Sequence, residues 1–382
     1  EGYRRRGVPV VMGGWHVSVL PDEALRYCDA VVAGEAEPVW SRVLEDFKTG
    51  RLQGVYRSEN PPDLVNSRIP PARRDVFRKR YYCASIQFSR GCLGQCEFCT
   101  IGKVYGPGVR YRPVGDVLDE IEGCREKHIW FVDENLTGWN RNQQERLVEL
   151  LQEWDRRGIR RKWSAQGSVN LVDNEELLHW MQKTGCMYMF VGFEDIHETH
   201  LKSMKKAQNR RSDYRRVIDT LHAHDIGVFG SFIVGLPGQT AEQVREVIEF
   251  CAESGVDHAL MAQAALVPGC PWWDRYKDAA PYRNLPTDYV NLCGSFLPVM
   301  ADCPIRLEEW QELYLEMARR LFSPGQIRRR WWRWARKGCW DHAFMTLGLN
   351  KAGRQYLRQV AYVHKAVDPV SGRWLLGNGG RK

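Results

Sequence analysis

Three cysteines, Cys92, Cys96 and Cys99, stand in a C-x3-C-x2-C run within Ser89-Arg90-Gly91-Cys92-Leu93-Gly94-Gln95-Cys96-Glu97-Phe98-Cys99, and any fold this chain adopts has to hold that loop in place. The number of ligands is informative. A structural zinc site closes a tetrahedron with four protein ligands, whereas a cubane iron–sulfur cluster held by three thiolates leaves one iron open to an outside ligand. Gly91 and Gly94 relieve backbone crowding, so a short loop can turn its sulfurs inward. Phe98, between the last two cysteines, can cover a bound group or lie against a purine. Cys83, nine residues upstream, leaves a second reading open, a closed four-cysteine zinc or iron–sulfur centre. A buried free cysteine on a strand explains it more simply.

The surroundings of the loop read as parallel β/α architecture, because short apolar runs alternate with helical patterns from Tyr81 onward. Strands are expected over Tyr82 to Phe88, Ile129 to Val132, Trp163 to Ser168, Tyr188 to Glu194, Val228 to Leu236 and Ala259 to Val267. Helices are expected over Val114 to Lys127 and Ala241 to Glu253. Asp133, Glu134 and Asn135 follow the second strand, and carboxylates at the C-terminal end of a parallel strand point into the site of a barrel. Capping of the next turn is the plainer role for Asp133. Gln166 and Ser168 close the third strand, where they can hydrogen-bond a ribose or a carboxylate.

Bulk composition sets the class. A chain of 382 residues that is 43% hydrophobic and 27% charged has room for two or three domains with a sizeable core. No apolar run approaches the ~20 residues of a membrane span. Twelve cysteines without a signal peptide argue for a reducing compartment, the cytoplasm, rather than a disulfide framework. The net charge of +8 is modest, and its arginines gather near the C-terminus.

The cysteine loop resembles the C-x3-C-x-aromatic-C signature of the radical S-adenosylmethionine (SAM) enzymes. That resemblance implies a [4Fe-4S] cluster on Cys92, Cys96 and Cys99 whose open iron chelates SAM. An electron from a donor such as flavodoxin or ferredoxin would cleave SAM to methionine and a 5′-deoxyadenosyl radical. It further implies that Phe98, the Asp133–Asn135 strand end, Gln166, Ser168, Glu194 of Val191-Gly192-Phe193-Glu194, and Gly235 and Gly238 of Gly235-Leu236-Pro237-Gly238-Gln239-Thr240 cradle SAM. Val267-Pro268-Gly269-Cys270-Pro271 is similar to the family's P-G-T-P ending, with Cys270 in place of the small hydroxyl residue.

Upstream, Val8-Pro9-Val10-Val11-Met12, Gly13-Gly14, a helix from Pro21, the strand Ala30-Val31-Val32-Ala33 and a helix carrying Trp40, Val43, Leu44 and Phe47 form a strand–turn–helix unit met twice. This text resembles the second half of the Rossmann-like cobalamin (B12)-binding domain that precedes many radical SAM enzymes. The resemblance makes Gly13 and Gly14 cofactor-binding candidates and implies cobalamin, bound once the missing N-terminal part is restored. His16 reads as a polar loop residue, with metal ligation as the alternative. The expected fold is α/β: residues 1–60 half of the cobalamin domain, 61–80 a linker, 81–300 a partial (β/α)6 barrel, and 301–382 a helical C-terminal region. The implied class includes hopanoid methylases and the anaerobic magnesium-protoporphyrin ester cyclase. The implied reaction is methyl transfer to an unactivated carbon, with radical cyclisation or rearrangement as a rival and a nucleic-acid-binding module stapled by zinc on four cysteines as the reading from another class.

The segment Ile327 to Lys337 interleaves arginine with tryptophan. Its plainest account is a helix that packs its indoles and solvates its arginines. Peripheral membrane contact or a lipid or other hydrophobic substrate comes next, and nucleic acid last. For the loop, the expected outcome is that Cys92→Ala, Cys96→Ala or Cys99→Ala each abolishes deoxyadenosine formation, whereas Cys83→Ala does not. Iron content after anaerobic reconstitution checks the ligand set, and loss of iron in Cys83→Ala would refute three-ligand binding.

Overall fold

The computed structural model describes residues 2–280 and 298–365 apart from positions 53, 67, 68, 80 and 207. The tail from Asp368, whose Gly377, Gly379 and Gly380 read in the sequence as a frayed end, lies outside the described residues. A small parallel sheet comes first, with β1 (Val11–Gly13), β2 (Ala30–Val32) and β3 (Val55–Tyr56) in the order β1-β2-β3. Helices α1 (Trp15–Val19), α2 (Pro21–Ala24) and α3 (Trp40–Lys48) connect them. The strand at Val55 has no counterpart in the sequence reading; two residues long, it is too short for any alternation of apolar residues to register. On α3, Val43 is the buried residue of the expected apolar face, while Trp40, Leu44 and Phe47 are exposed.

Six parallel strands make the main sheet: β4 (Cys83–Ile86), β7 (His128–Phe131), β8 (Lys162–Gly167), β9 (Cys186–Glu194), β10 (Gly227–Val234) and β11 (His258–Gln263). Each lies beside its predecessor, in the spatial order β11-β10-β9-β8-β7-β4, so the winding runs one way from edge to edge and the sheet stays open. The expected partial (β/α)6 barrel is present. Between β4 and β7 the chain adds a short antiparallel pair, β5 (Ser89–Arg90) with β6 (Arg110–Tyr111), which pinches the base of the cysteine loop. Helices α4 (Ile101–Tyr105), α5 (Val114–Glu122), α6 (Arg141–Arg156), α7 (Glu175–Lys183), α8 (Glu198–Ser203), α9 (Arg211–Ala223), α10 (Ala241–Glu253) and α11 (Pro271–Tyr276) follow in turn.

Local chemistry explains several of these starts. The Asn140 side chain accepts from the Gln143 amide to cap α6, and Thr240 with Gln243 forms a capping box at α10. Leu147, Leu150, Leu151 and Trp154 on α6 are wholly buried, and each such side chain contributes about 1.5–3 kcal/mol.

Three helices close the described chain: α12 (Leu307–Leu321), α13 (Pro324–Ala335) and α14 (Trp340–Lys365). Helix α12 buries Trp310, Leu313, Tyr314, Met317 and Leu321 against the barrel. On α13 Arg330 and Arg333 turn inward, whereas Arg328 and Arg329 are exposed. Arg330 is buried and donates to Asn350 Oδ1 at 2.6 Å and to the Leu321 carbonyl at 2.8 Å. Arg333 Nη1 and Trp334 Nε1 both donate to Asp257 Oδ1, at 2.9 and 2.8 Å, and His222 Nε2 lies 2.8 Å from Asp257 Oδ2. The expected packing helix holds only in part: Trp334 is buried as expected, but Trp332 is exposed, and Arg330 and Arg333 are drawn inward by the acceptors Asn350 and Asp257 instead of being solvated. Among the described residues no helix is long and apolar enough to cross a membrane.

Asp257 ties α13 to the barrel just ahead of β11. Burial works against its charge, yet His222 and Arg333 outweigh that and hold the carboxyl well below the usual range. A depressed folded pKa means the stabilisation is present above the unfolded carboxylate pKa and is lost as pH falls. Asp257→Ala should destabilise the protein by about 2–4 kcal/mol, since it leaves buried Trp334 Nε1 and half-buried Arg333 without their shared acceptor. Urea denaturation of the two proteins measures this, and the difference should shrink as pH is lowered below ~4.

Candidate functional site: the cysteine loop at the C-terminal ends of the strands

The loop leaves the sheet just beyond β4 and is fastened at its base, tip and flank. At the base, Asp133, wholly buried behind β7, accepts from the Phe88 amide at 3.0 Å, the Ser89 amide at 2.5 Å and the Ser89 hydroxyl at 2.6 Å. Gly91 has φ 98°, and a Cβ there would stand 2.3 Å from the Gly108 carbonyl oxygen across the β5–β6 pinch, so only glycine fits. At the tip, buried Glu97 pairs with Lys205 Nζ at 2.8 Å and Arg275 Nη2 at 3.0 Å. Its backbone bonds to Met204 and Trp272. On the flank, Trp139 Nε1 donates to Cys92 Sγ at 3.0 Å and the Gly94 amide donates at 3.3 Å.

These contacts suit sulfurs that carry negative charge. Burial, the largest cause, leaves the Cys96 thiol raised to about 11 and raises Cys99 as well. Opposing it is Lys206, a buried ammonium 3.1 Å from Glu194 Oε1 and 5.3 Å from the centre of the Trp139 ring. Burial pulls Lys206 down, but Glu194 and the thiols outweigh it and its pKa is raised. A cationic side chain and two N–H donors beside three sulfurs fit an anionic cluster held by thiolates.

Cys83 is not a neighbour. It opens β4 opposite His128, whereas the loop leaves from the other end of that strand. At ~3.3 Å per residue the five steps from Cys83 to Phe88 span roughly 16 Å. Among the described residues the one group spaced for a single ion is Asp195, His197 and His200. Both Asp195 oxygens there already accept, from His197 Nδ1 at 2.8 Å and His200 Nδ1 at 2.6 Å. That group is a closed hydrogen-bond network at the end of β9. The place of Cys83 excludes it as a fourth ligand of the loop's centre.

A cavity of about 540 Å³ opens against the loop. Phe98, Cys99, Glu134 and Gln166 line it, together with Tyr105 and Trp15. Glu134 accepts from the Gly91 amide at 3.2 Å, and burial raises its carboxyl to about 7. Asn135 Nδ2 donates to Ser168 Oγ at 2.6 Å beside it. Phe98 packs against Trp272, with ring centres 5.8 Å apart.

Other expected residues lie elsewhere. Asp133 has both oxygens committed to the loop base, so the carboxylate that faces the cavity is Glu134. Gly235 and Gly238 do not line this cavity: Gly235 packs under the Trp310 ring, and the Gly238 amide donates to the Asp302 carbonyl at 2.9 Å. Gly13 and Gly14 turn the chain from β1 into α1, which delivers Trp15 to the cavity wall. His16 lies on α1 and meets Glu23 at 3.0 Å.

Residues 86–251 match the radical SAM superfamily. The chain carries a radical SAM domain. Over 285 residues it is 30% identical to the bacteriochlorophyllide d C-12(1)-methyltransferase of Chlorobaculum tepidum, covering 72% of this chain and 61% of that protein. Against the hopanoid C-2 methylase of Rhodopseudomonas palustris it is 28% identical, with 70% and 52% covered. The fold matches the cobalamin-dependent radical enzyme OxsB in its aqua-cobalamin-bound structure, with TM-score 0.61, 14% identity, and 97% and 66% covered. The chain thus spans about half to three fifths of the length of the curated relatives it matches.

The radical SAM domain implies a [4Fe-4S] cluster and SAM, and the donor set around Cys92, Cys96 and Cys99 fits the cluster. Several residues of its site escape a reading of the sequence. Lys206 looks no different in sequence from Lys202 and Lys205, and only the fold buries it. Trp15 and Trp139 reach the site from other parts of the chain. The N-terminal sheet docks through Glu35, which meets Arg90 Nη1 at 2.6 Å and Arg110 Nη2 at 2.5 Å, and through Glu37, 2.8 Å from Arg90 Nη2.

Asp133→Ala strands buried amides at ~1–3 kcal/mol each and should lower the iron retained per chain. Glu134→Gln should keep its iron but lose about 1.5–3 kcal/mol of SAM affinity, as a charge-assisted hydrogen bond is weakened. Iron assay and equilibrium dialysis with SAM separate the two. The reverse pattern would return Asp133 to SAM binding.

Proposed function

We propose that this chain is the radical SAM part of a cobalamin-dependent methyltransferase that acts on an unactivated carbon of a large, mostly apolar substrate. The observation that carries this reading is the cavity itself, which has a cluster ligand, Cys99, on one wall and Trp15 of the N-terminal unit on another. The bound cluster supplies one electron, received from a donor such as flavodoxin or ferredoxin, for reductive cleavage of SAM.

The chain's own residues do the holding and orienting. Cys92, Cys96 and Cys99 hold the cluster, and Trp139 and Gly94 orient Cys92. Glu134 is placed to accept from the SAM ammonium, and the Glu194–Lys206 pair offers both charges to its amino-acid end. Gln166, Asn135 and Ser168 present hydrogen-bonding groups for the ribose, and Phe98 an aromatic face for the adenine. Ile101, Tyr105, Val132 and Val267 make the remaining wall largely apolar and exclude water. Relatives named for bacteriochlorophyllide d and hopanoid methylation support a large ring substrate. Cobalamin would be carried by the N-terminal unit, whose strand–turn–helix order and the fold match to OxsB support that placement.

The test is anaerobic reconstitution with iron and sulfide, then incubation with SAM bearing a labelled methyl group, cobalamin and a strong reductant. Mass spectrometry should find 5′-deoxyadenosine with methionine from this chain, and label on cobalamin where a complete cobalamin domain is supplied. Lys206→Met should reduce both. Zinc-loaded protein that forms neither product would refute the proposal.

A further inference from the structure

Helices α13 and α14 leave between them a groove of about 1020 Å³ that shares no lining residue with the cavity at the cysteine loop. Its floor is apolar, formed by Ile327, Trp331 and Leu347, and its rim carries Arg328, Lys351, Arg354 and Arg358. No ion pair engages these four cations among the described residues. That sets them apart from their neighbours: Arg320 pairs with Glu249, Arg329 donates to the Ala252 carbonyl, Arg330 to Asn350 and Arg333 to Asp257.

The arrangement along α14 is ordered. Trp340, Phe344, Leu347, Lys351, Arg354 and Arg358 follow at steps of four and three residues, which places them on one helix face. Aromatic and aliphatic side chains occupy its first half, with Trp340 and Phe344 exposed, and cations its second. From Phe344 to Arg354 the face runs roughly 15 Å at 1.5 Å per residue. Like charges at these steps repel. Compensation of the helix dipole does not explain them, because that effect is confined to the last turn, and α14 continues to Lys365. An apolar trough that ends in unpaired cations is complementary in both shape and charge to one class of ligand.

We propose that this groove binds a single long-chain anionic amphiphile, its hydrocarbon tail on Trp331 and Leu347 and its anionic head among Lys351, Arg354 and Arg358. The site is separate from the cluster and does not depend on the reaction proposed there.

Dibromostearate, used below the concentration at which it forms micelles, is the probe, because bromine quenches a nearby indole. Titration of the whole chain should give saturable one-to-one quenching, and Trp331→Phe should remove part of that quenching without abolishing binding. The K351Q/R354Q/R358Q variant should bind roughly tenfold or more weakly, since each cation is worth about fivefold against an anionic head. The uncharged methyl ester should lose affinity for the parent protein to a similar extent. Unchanged thermal unfolding of the variants shows that they fold. Four outcomes would overturn the proposal: equal affinity for acid and ester, an unaffected triple variant, binding to anionic vesicles without binding the monomeric acid, or self-association that the probe does not displace.

Discussion

A buried carboxylate decides where the cysteine loop begins. Asp133 takes two amides and a hydroxyl from Phe88 and Ser89, and so joins the end of β7 to the chain leaving β4. Burial pushes this carboxyl up to about 6 even against those donors, which shows how much solvation it has given up for them. Everything placed on the loop inherits that anchor. The β5–β6 pinch, the Glu97 pairs and the Trp139 bond to Cys92 then fix an irregular segment whose own backbone has little regular hydrogen bonding.

The two ends of the open barrel are held by opposite devices. At the C-terminal ends of the strands, charges stay close to the cavity: Glu134, Glu194 and Lys206 stand beside the thiols, where pre-set charges and dipoles act most strongly in a dry site. Near the start of β11, Asp257 gathers His222, Arg333 and Trp334 and fastens α13 to the barrel. The N-terminal sheet joins the first end through Glu35, Glu37, Arg90 and Arg110. Arg90 is two residues from Cys92, so the docking of that unit and the position of the loop are mechanically linked.

Much of this is legible in the sequence because it rests on local signals. Six apolar runs separated by helical patterns report parallel strands, and Thr240 and Gln243 mark the start of the helix over Ala241–Glu253. Cys92, Cys96 and Cys99 are visible as a spacing. What stays hidden depends on distant partners. Whether a strand-end carboxylate faces the cavity or the backbone is decided by a neighbouring strand, which separates Glu134 from Asp133. Burial of Lys206 and the inward turn of Arg330 and Arg333 likewise come from packing that no window of sequence contains. Two-residue strands such as Val55–Tyr56 leave no periodicity to read.

The account stands on three thiolates holding a cluster with one iron open to SAM. Mössbauer spectroscopy of the anaerobically reconstituted, iron-57-labelled chain tests this most directly. The account predicts four irons and four sulfides per chain, with one iron site whose isomer shift changes when SAM is added and three that do not. Four equivalent sites indifferent to SAM, or zinc without sulfide, would contradict it.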